Sequence, residues 1–194
     1  MAAVAEIMQM IDGSGQDDGP VFQAILAKAK TLCNAQMAGL ILGTAEDDVQ
    51  TLAAHDGVSA EVVEIFRSGQ MKMDASLSYA AKCIVTAELI AHEDMADSDL
   101  YRAGSPIVRA MVDDSNIRSV LFVPLISGGR AIGLITLFRT RVAAFSKGEI
   151  ALVEAFATQA VIAIKTVQQF KKLQTRLDSE TATGDVLQAI SQSR

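Results

Sequence analysis

The two histidines carry the side chains best suited to exchange a proton near neutral pH. His92 is followed by two carboxylates, Glu93 and Asp94, and such a group can bind a metal ion or change charge near the unperturbed imidazole pKa of ~6.5. A solvated loop at the end of a strand explains the same three residues without a function. His55 precedes an Asp-Gly pair and is expected to cap a turn.

The two cysteines, Cys33 and Cys83, lie in apolar helical stretches without the CxxC spacing of a zinc or redox site. We expect both to be small buried residues of a protein kept in a reducing cytoplasm. The sequence has no glycine-rich phosphate loop after a strand, no HExxH and no GxSxG motif. It therefore predicts a non-catalytic chain without a metal site.

Composition indicates one compact domain with terminal extensions. Of the 194 residues, 50% are hydrophobic and 21% are charged, which excludes disorder over most of the chain. The longest uncharged stretch, 31–45, is shorter than the ~20 apolar residues of a membrane-spanning helix, so none is expected. The net charge of −6 argues against nucleic acid and anionic membranes as partners, because both attract clustered positive charge.

The hydrophobic period changes along the chain from that of a helix to that of a strand. Helical spacing predicts a short helix over about residues 2–11 and a second from Pro20 to about Asn34. Two β-rich runs flank Ser127-Gly128-Gly129 and predict a hairpin. The predicted strands are 37–43, 49–55, 88–92, 118–126 and 130–138, and further helices are predicted over 59–68 and 76–85.

The last predicted helix is marked by its own start signal. Ser146 and Glu149 have the spacing of a capping box, and Phe145 and Ile150 fit the hydrophobic staple around it. No helix breaker follows until Gly184, so we expect one helix from about residue 147 to 180. Its first half is apolar nearly all round, which suits burial against a sheet.

The second half of this helix keeps a narrow apolar stripe with the three- and four-residue spacing of a coiled-coil seam. The stripe consists of Ala163, Thr166, Phe170, Leu173 and Leu177. We predict a parallel homodimer whose interface includes Phe170, Leu173 and Leu177, together with Ile7 and Ile11 of the first helix. A solvated helix that meets a different partner domain is the alternative interpretation.

The two ends of the sequence resemble each other. Residues 185–193 align with residues 6–14 so that the apolar positions, a glutamine and the final serine are in register. Such a repeat predicts that a second copy of the module begins where this sequence ends. The chain is therefore divided into an N-terminal linker helix (1–19), a central domain (20–170) and a C-terminal signalling helix that leads into a linker (171–194).

Two longer motifs resemble the GAF domain family. Residues 116–125, NIRSVLFVPL, and 128–135, GGRAIGLI, are similar to the family's hairpin, in which a "VPL" strand, a glycine turn and "xIGxL" follow one another. Residues 144–150, AFSKGEI, and 156–164, FATQAVIAI, are similar to its closing helix. The tail over 180–191 resembles the linker between tandem GAF modules of bacterial multi-domain sensor histidine kinases and nucleotide cyclases.

The resemblance implies an α+β fold with a GAF-like central antiparallel sheet of five or six strands. The N- and C-terminal helices are expected on one face and a ligand pocket on the other. The implied function is a sensory or regulatory module of a cytoplasmic signalling protein, which binds a small molecule or partner and relays the change through its closing helix. The alternative is a structural dimerisation and spacer module whose pocket is filled by its own Phe, Met and Tyr side chains.

The position of each polar residue in this plan selects ten candidates for the pocket. They are Ser76, Ser78, Tyr79, His92, Asp94, Tyr101, Arg102, Arg109, Ser119 and Thr136. An arginine among them would favour a small anion or carboxylate, since its guanidinium pairs two oxygens, while an exposed salt bridge is the alternative. The methionines Met71, Met73, Met95 and Met111 either line an adaptable pocket or fill gaps in the core.

The resemblance also bears on the cofactor. Bilin-binding relatives carry a cysteine in the irregular stretch before the hairpin, and residues 103–116 contain none. The Asn-Lys-Phe-Asp-Glu signature of cyclic-nucleotide-binding relatives is absent as well. The sequence therefore argues against a bilin and a cyclic nucleotide and leaves the ligand unknown. An output domain such as a kinase or cyclase would belong to the full-length protein and not to this module.

Overall fold

The computed structural model describes the backbone of residues 18–192 and the side chains of 18–173, 175 and 176. The predicted helix over 2–11, with Ile7 and Ile11, lies outside the described residues. The described elements are α1 (Gly19–Cys33), β1 (Met37–Leu42), β2 (Thr51–Asp56), α2 (Ala60–Arg67), α3 (Tyr79–Thr86), β3 (Ile90–His92), α4 (Asp99–Arg102), α5 (Pro106–Arg109), β4 (Ser119–Ser127), β5 (Arg130–Arg139) and α6 (Lys147–Gln192). A 3₁₀ turn covers Met95–Asp97, and a π-helical turn, Ala110–Asp114, follows α5.

The five strands form one sheet in the order β2-β1-β5-β4-β3, and every neighbouring pair is antiparallel. Helices α1 and α6 pack on one face of the sheet. Helices α2 and α3 and residues 93–118, which we call the lid, cover the other face. This arrangement confirms the expected α+β class and the expected layers.

Alternating side chains of each strand supply the two layers of the core. On β4, Leu121, Val123 and Leu125 pack toward α1 and α6, whereas Val120 and Phe122 pack under the lid. A sheet that is covered on both faces needs such apolar residues on both sides. The layer under the lid is the one that contains the candidate site.

The hairpin between β4 and β5 has the turn that the sequence predicts. Gly128 and Gly129 have φ angles of 59° and 78°, as a type I′ turn requires at both central positions. Gly133 serves a different purpose, because β1 approaches it closely. A Cβ on Gly133 would lie 2.4 Å from the backbone oxygen of Ile41, so only glycine fits between these two strands.

Helix α6 begins at the predicted capping box. The backbone N–H of Glu149 donates to Ser146 Oγ (3.3 Å), and the N–H of Ser146 donates to Glu149 Oε2 (2.8 Å). Phe145 and Ile150 both join the core beneath, as the hydrophobic staple predicts. The helix continues past the predicted end near residue 180 and through Gly184 to Gln192. One interior glycine costs only about 1 kcal/mol, so it does not by itself end a helix.

Part of α6 has the length and apolar composition of a membrane-spanning helix, although charged residues interrupt it. Lys147–Leu173 has a mean hydropathy of 1.6 over its most apolar window, enough by length and composition to cross a membrane. However, 44% of that window is buried inside the domain. A helix that contributes to a protein core can have the same length and composition, and here α6 packs against α1 and β4.

Candidate functional site

A small cavity lies between the sheet and the elements that cover it on the lid side. Its volume is about 40 Å³. At the ~10–15 Å³ that a single water requires, this is room for about three waters. Strands β1, β4 and β5 form the floor of the cavity, and α2, α3 and the lid form its walls.

The lining of this cavity is largely aliphatic, aromatic or methionine. Met71, Met95 and Met111 line it, whereas Met73 does not. The π-helical turn that carries Met111 is a local widening of the helix, a distortion that is frequent at functional sites. Among the lining residues that the structure describes, Ser78, Tyr79 and Thr136 have polar side chains and none is charged.

Thr136 stands in the floor of the cavity, where β5 pairs with Gly39 of β1 on one side and Phe122 of β4 on the other. Only 2% of the residue is exposed, and its Oγ1 has no hydrogen-bond partner among the described residues. Gly39 leaves space beside it, since a Cβ added there would stand 3.8 Å from this oxygen. The Thr136 hydroxyl therefore has both its donor and its acceptor positions free.

Ser78 and Tyr79 enter the cavity from the start of α3. Ser78 caps this helix, with its Oγ accepting from the N–H of Ala81 (3.0 Å) and from Gln50 Nε2 (3.1 Å). The Tyr79 hydroxyl accepts from the N–H of Leu100 at 3.4 Å and so connects α3 to the lid. Of the ten candidates named from the sequence, Ser78, Tyr79 and Thr136 line the cavity and the other seven do not.

His92 lies behind Tyr79, with the two ring centroids 4.2 Å apart. Burial is the main cause that lowers the pKa of the imidazole below its usual value, and Lys82 lowers it further while Asp99 opposes the shift. The ring is therefore neutral at pH 7 and is held as a packing partner of Tyr79. No cluster of three or more His, Cys, Asp or Glu residues suited to a metal ion occurs among the described residues.

Asp94 is not a cavity residue, because Arg118 holds its carboxylate at the start of the lid. Arg118 Nε donates to Asp94 Oδ1 at 2.9 Å, and Nη2 donates to Oδ2. The same Oδ1 accepts from the N–H of Ala96 and caps the 3₁₀ turn. The hydrogen bonds from Arg118 are the main cause that lowers the pKa of Asp94 below its usual value.

This lowered pKa predicts a pH dependence of stability. The Asp94 pair should stabilise the domain fully above the unfolded pKa of ~3.9 and lose its effect as the pH falls through the folded value. Asp94→Asn keeps the cap but removes the charge. The difference in thermal melting temperature between the unmodified chain and this variant should therefore be constant above about pH 5 and shrink below about pH 4.

Thermal melts between pH 7 and pH 3 measure this difference, with Asp114→Asn, at an exposed carboxylate in the same lid, as the matched control. If the difference in melting temperature between the unmodified chain and Asp94→Asn stays constant down to pH 3, the Asp94 charge does not contribute to stability.

Arg109 and Tyr101 form a cluster on the outer surface of the lid. The Arg109 guanidinium lies 4.3 Å from the centroid of the Tyr101 ring, and the Tyr101 hydroxyl donates to Asp113 Oδ1 at 2.9 Å. That hydrogen bond is the main cause that raises the pKa of Tyr101. Arg109 does not line the cavity, and its guanidinium lies 3.8 Å from Asp113 on the outer surface, which is the exposed salt bridge that the sequence analysis gave as the alternative to an anion site.

Three further candidates have structural roles outside the cavity. Ser76 is exposed and bonds to Asp74, while Arg102 is exposed and pairs with Asp99. Ser119 is fully buried; its Oγ bonds to the carbonyl oxygens of Glu93 and Arg141 and accepts from the N–H of Ala143. Ser76 and Arg102 take their directions from partners close in sequence, whereas Ser119 bonds to groups at least 22 residues away.

A buried arginine at the end of β5 is the main feature that the sequence analysis missed. Arg139 Nη1 donates to the carbonyl oxygens of Ala143 and Ala144 (3.0 Å each), and Nη2 donates to the carbonyl of Cys33 (2.6 Å) and to Glu149 Oε1. Its guanidinium also stacks 4.0 Å from the ring centroid of Phe145. We call this group the Arg139 clasp; it joins β5 and the end of α1 to the first turn of α6.

Both cysteines are buried thiols. Burial raises the pKa of Cys33 to about 11, with Glu149 adding to the shift and Arg139 opposing it. Burial raises the pKa of Cys83 to about 12. Neither forms a disulfide. The thiolate, which is the reactive form, is therefore disfavoured at both positions.

Helix α6 exposes apolar side chains on the side that faces away from the sheet. Phe170 and Leu173 are 50% and 59% exposed, as the predicted seam requires. Ala163 is buried in the core, and its neighbour Ile162, 53% exposed, takes its place on the surface. With Leu152 also 54% exposed, the apolar stripe extends over more of α6 than the sequence analysis indicated. The side chain of Leu177 lies outside the described part.

Comparisons with known proteins agree on the fold. The family model described as GAF domain matches residues 20–165. Similar solved structures include a domain described as part of a two-component sensor histidine kinase from Sinorhizobium meliloti 1021, with 20% identity over 77% of this chain and 91% of that chain and a TM-score of 0.60. A comparison with curated protein sequences gives no match.

Two further solved structures show the same likeness. A GAF domain/HD domain protein from Geobacter sulfurreducens is 20% identical over 76% of this chain and 91% of its own, with a TM-score of 0.60. Residues 122 to 287 of a methyl-accepting chemotaxis protein are 17% identical over 87% of this chain and 98% of that chain, with a TM-score of 0.64. At such identities these structures show a shared fold.

Proposed function

Since the chain belongs to the GAF domain family, we propose that it is a sensory or regulatory module that binds a small molecule in the cavity beneath its lid and relays binding through α6. GAF domains are generally non-catalytic and typically have such roles in signalling proteins. Among the described residues, the polar side chains around the cavity do not pair a nucleophile with a base, as catalysis would require.

The observation that supports this proposal best is the continuity of β5. Thr136 and Phe138 form part of the cavity floor, and the next residue, Arg139, holds the first turn of α6 through Glu149. Within four residues, one strand therefore contacts both the cavity and the base of the closing helix. A ligand that displaces the floor of the cavity changes the position of the Arg139 clasp.

A relay also requires two arrangements of the domain that bind the ligand with different affinity, because a ligand that binds both equally shifts nothing. The lid is suited to provide them. It consists of short helical turns, and it contacts the cavity through methionines, whose flexible side chains adapt to different occupants. The Asp94–Arg118 pair and the bond from Leu100 to Tyr79 fix the lid in the present arrangement.

We further propose that two copies associate in parallel through their terminal helices. The exposed stripe on α6, with Ile162, Phe170 and Leu173, supports this assembly because a long apolar strip on a helix is unfavourable in water. A parallel pair places the two C-terminal ends side by side, where they can act on a paired output domain. Ile7, Ile11 and Leu177 belong to the same proposed interface.

The proposed context is a cytoplasmic, bacterial multi-domain signalling protein with tandem modules, such as a sensor histidine kinase or a nucleotide cyclase. The similarity of residues 185–193 to 6–14 supports a second module after this one. The net charge of −6 supports partners other than nucleic acid or anionic membrane.

A second candidate function is a dimerisation and spacer module without a ligand. The volume of the cavity, about 40 Å³, favours this alternative, because the side chains of Met, Phe and Tyr already occupy most of the space beneath the lid.

A thermal-shift screen of the chain against a metabolite panel, with each compound at millimolar concentration, distinguishes the two functions. A stabilising shift with at least one compound is expected in the unmodified chain and in Gly148→Ala, where a Cβ meets nothing within 4 Å, and it should be lost in Gly39→Ala, whose Cβ enters the cavity. Hydrogen exchange in the first turns of α6 should change when that compound is added. Absence of a thermal shift across the panel supports the spacer instead.

A further inference from the structure

Three hydroxyl groups of the cavity lining, those of Thr136, Ser78 and Tyr79, donate no hydrogen bond that the structure describes, and that of Tyr79 is directed to Leu100 of the lid. Thr136 Oγ1 is buried without a partner among the described residues, a state that is unfavourable unless something else occupies the position. Ser78 Oγ accepts two hydrogen bonds but donates none that the structure describes. A serine hydroxyl has one proton to donate, so this donor is also available.

The charges around the cavity restrict what can bind there. The described lining residues are uncharged, and the nearby ionic groups of the lid, Arg109 and Arg118, are paired with Asp113 and Asp94. An ionised ligand would lose its hydration without gaining a counter-charge, which is strongly unfavourable. The occupant is therefore electrically neutral.

The size of the cavity restricts the occupant further. A volume of about 40 Å³ admits a molecule of a few non-hydrogen atoms, with some room gained by movement of the Met71, Met95 and Met111 side chains. The binding energy available per ligand atom limits such a molecule to an affinity of tens of micromolar or weaker. A cell that is to sense it must therefore contain it at high micromolar to millimolar concentration.

We propose that the cavity binds a small neutral organic molecule that has one hydrogen-bond-accepting oxygen, such as a short-chain ketone or aldehyde, with this oxygen bound by the Thr136 hydroxyl. This inference rests on the proposed sensory function and specifies the ligand class of the same site. The Ser78 hydroxyl is a second donor on the wall of the cavity, and the aliphatic and methionine side chains contact the carbon atoms.

Three probes of four non-hydrogen atoms each test the proposal: acetone, isobutene and acetate. Acetone is neutral and has one oxygen, isobutene is neutral and has none, and acetate is an anion. Titrations are followed on the ¹³C-labelled methyl groups of Met71, Met95 and Met111, with the methyl of Met73, outside the cavity lining, as an internal control. We expect saturable shifts at the three lining methionines with acetone and none with acetate.

Two variants assign the contact. Thr136→Val preserves the shape of the side chain and breaks no described hydrogen bond, so the variant should fold normally. Its affinity for acetone should fall about fivefold to tenfold, as loss of one hydrogen bond implies. Isobutene binding should be unchanged or tighter in the same variant. The change in acetone affinity divided by the change in isobutene affinity measures the hydrogen bond alone, because the different hydration of the two free probes cancels in this ratio. Gly39→Ala should block both probes, because its methyl fills the space beside Thr136.

The matched controls are Thr158→Val and Gly148→Ala, both on the surface of α6. Equal changes in the affinities for acetone and isobutene in Thr136→Val would overturn the proposed contact. Binding of acetate would overturn the inference that the ligand is neutral. If none of the probes binds the unmodified chain, the ligand class is wrong and the cavity holds water only. The sensory function is then decided separately by the thermal-shift screen of the metabolite panel.

Discussion

Replacement of Arg139 by methionine should destabilise the domain by about 3–5 kcal/mol, the range for removal of one partner from a buried ionic group. The residue is 4% exposed, and its side chain bonds to the carbonyls of Cys33, Ala143 and Ala144 as well as to Glu149. Methionine fills much of the volume but leaves these oxygens without donors. Urea unfolding followed by circular dichroism measures the change.

The matched control for this variant is Arg130→Met. Arg130 also pairs with a glutamate, Glu46 at 2.8 Å, but both side chains are more than half exposed, so its loss should cost far less stability than the loss of Arg139. Arg139→Lys should lie between the two, since lysine retains the charge but cannot reach all the carbonyls at once. Equal destabilisation by Arg139→Met and Arg130→Met would remove the structural basis of the Arg139 clasp.

Glutamates introduced together at Phe170 and Leu173 should convert a dimer of the chain into a folded monomer. Burial of each such side chain contributes about 1.5–3 kcal/mol, and a two-fold interface contains both residues twice. Their replacement by charges should raise the dissociation constant by about a thousandfold or more. Light scattering after size-exclusion chromatography measures the mass, and circular dichroism shows whether the fold is retained.

The matched control carries the same two added charges on α6 outside the exposed stripe, as Gln168→Glu with Thr175→Glu. This variant should remain dimeric. A monomeric unmodified chain at high concentration, or a dimeric Phe170→Glu/Leu173→Glu variant, would contradict the proposed interface. The relay would then require another route to the output domain.

The elements of the fold could be predicted because their signals are local in sequence. The Gly128-Gly129 turn and the capping box of Ser146 and Glu149 each depend on residues within a few positions of one another. The alternation along β4 likewise assigns each side chain to a layer of the core. Where one short motif determines geometry, the sequence and the structure agree.

The candidate site could be predicted only in part, because some side-chain directions depend on partners that are distant in sequence. Thr136 lies on a regular strand, and its period of two places it on the cavity side. Arg109 pairs with Asp113 at the local i,i+4 spacing of a helix, which was an available signal for a surface ion pair. Arg118 pairs with Asp94, 24 residues away, and no local pattern encodes that partner. An arginine directly after the apolar run of β5 was the available signal for the Arg139 clasp.

The order of strands in the sheet also determines when the domain can form during synthesis. β1 pairs with β2 soon after both are made, but its other edge waits for β5 at the centre of the sheet. Ile41 pairs with Leu134, so at about 5–20 residues per second the ribosome needs roughly 5–20 s to supply this partner. During that time the apolar edge of β1 lacks its second partner, and an unpaired edge of this kind favours aggregation until β5 is made.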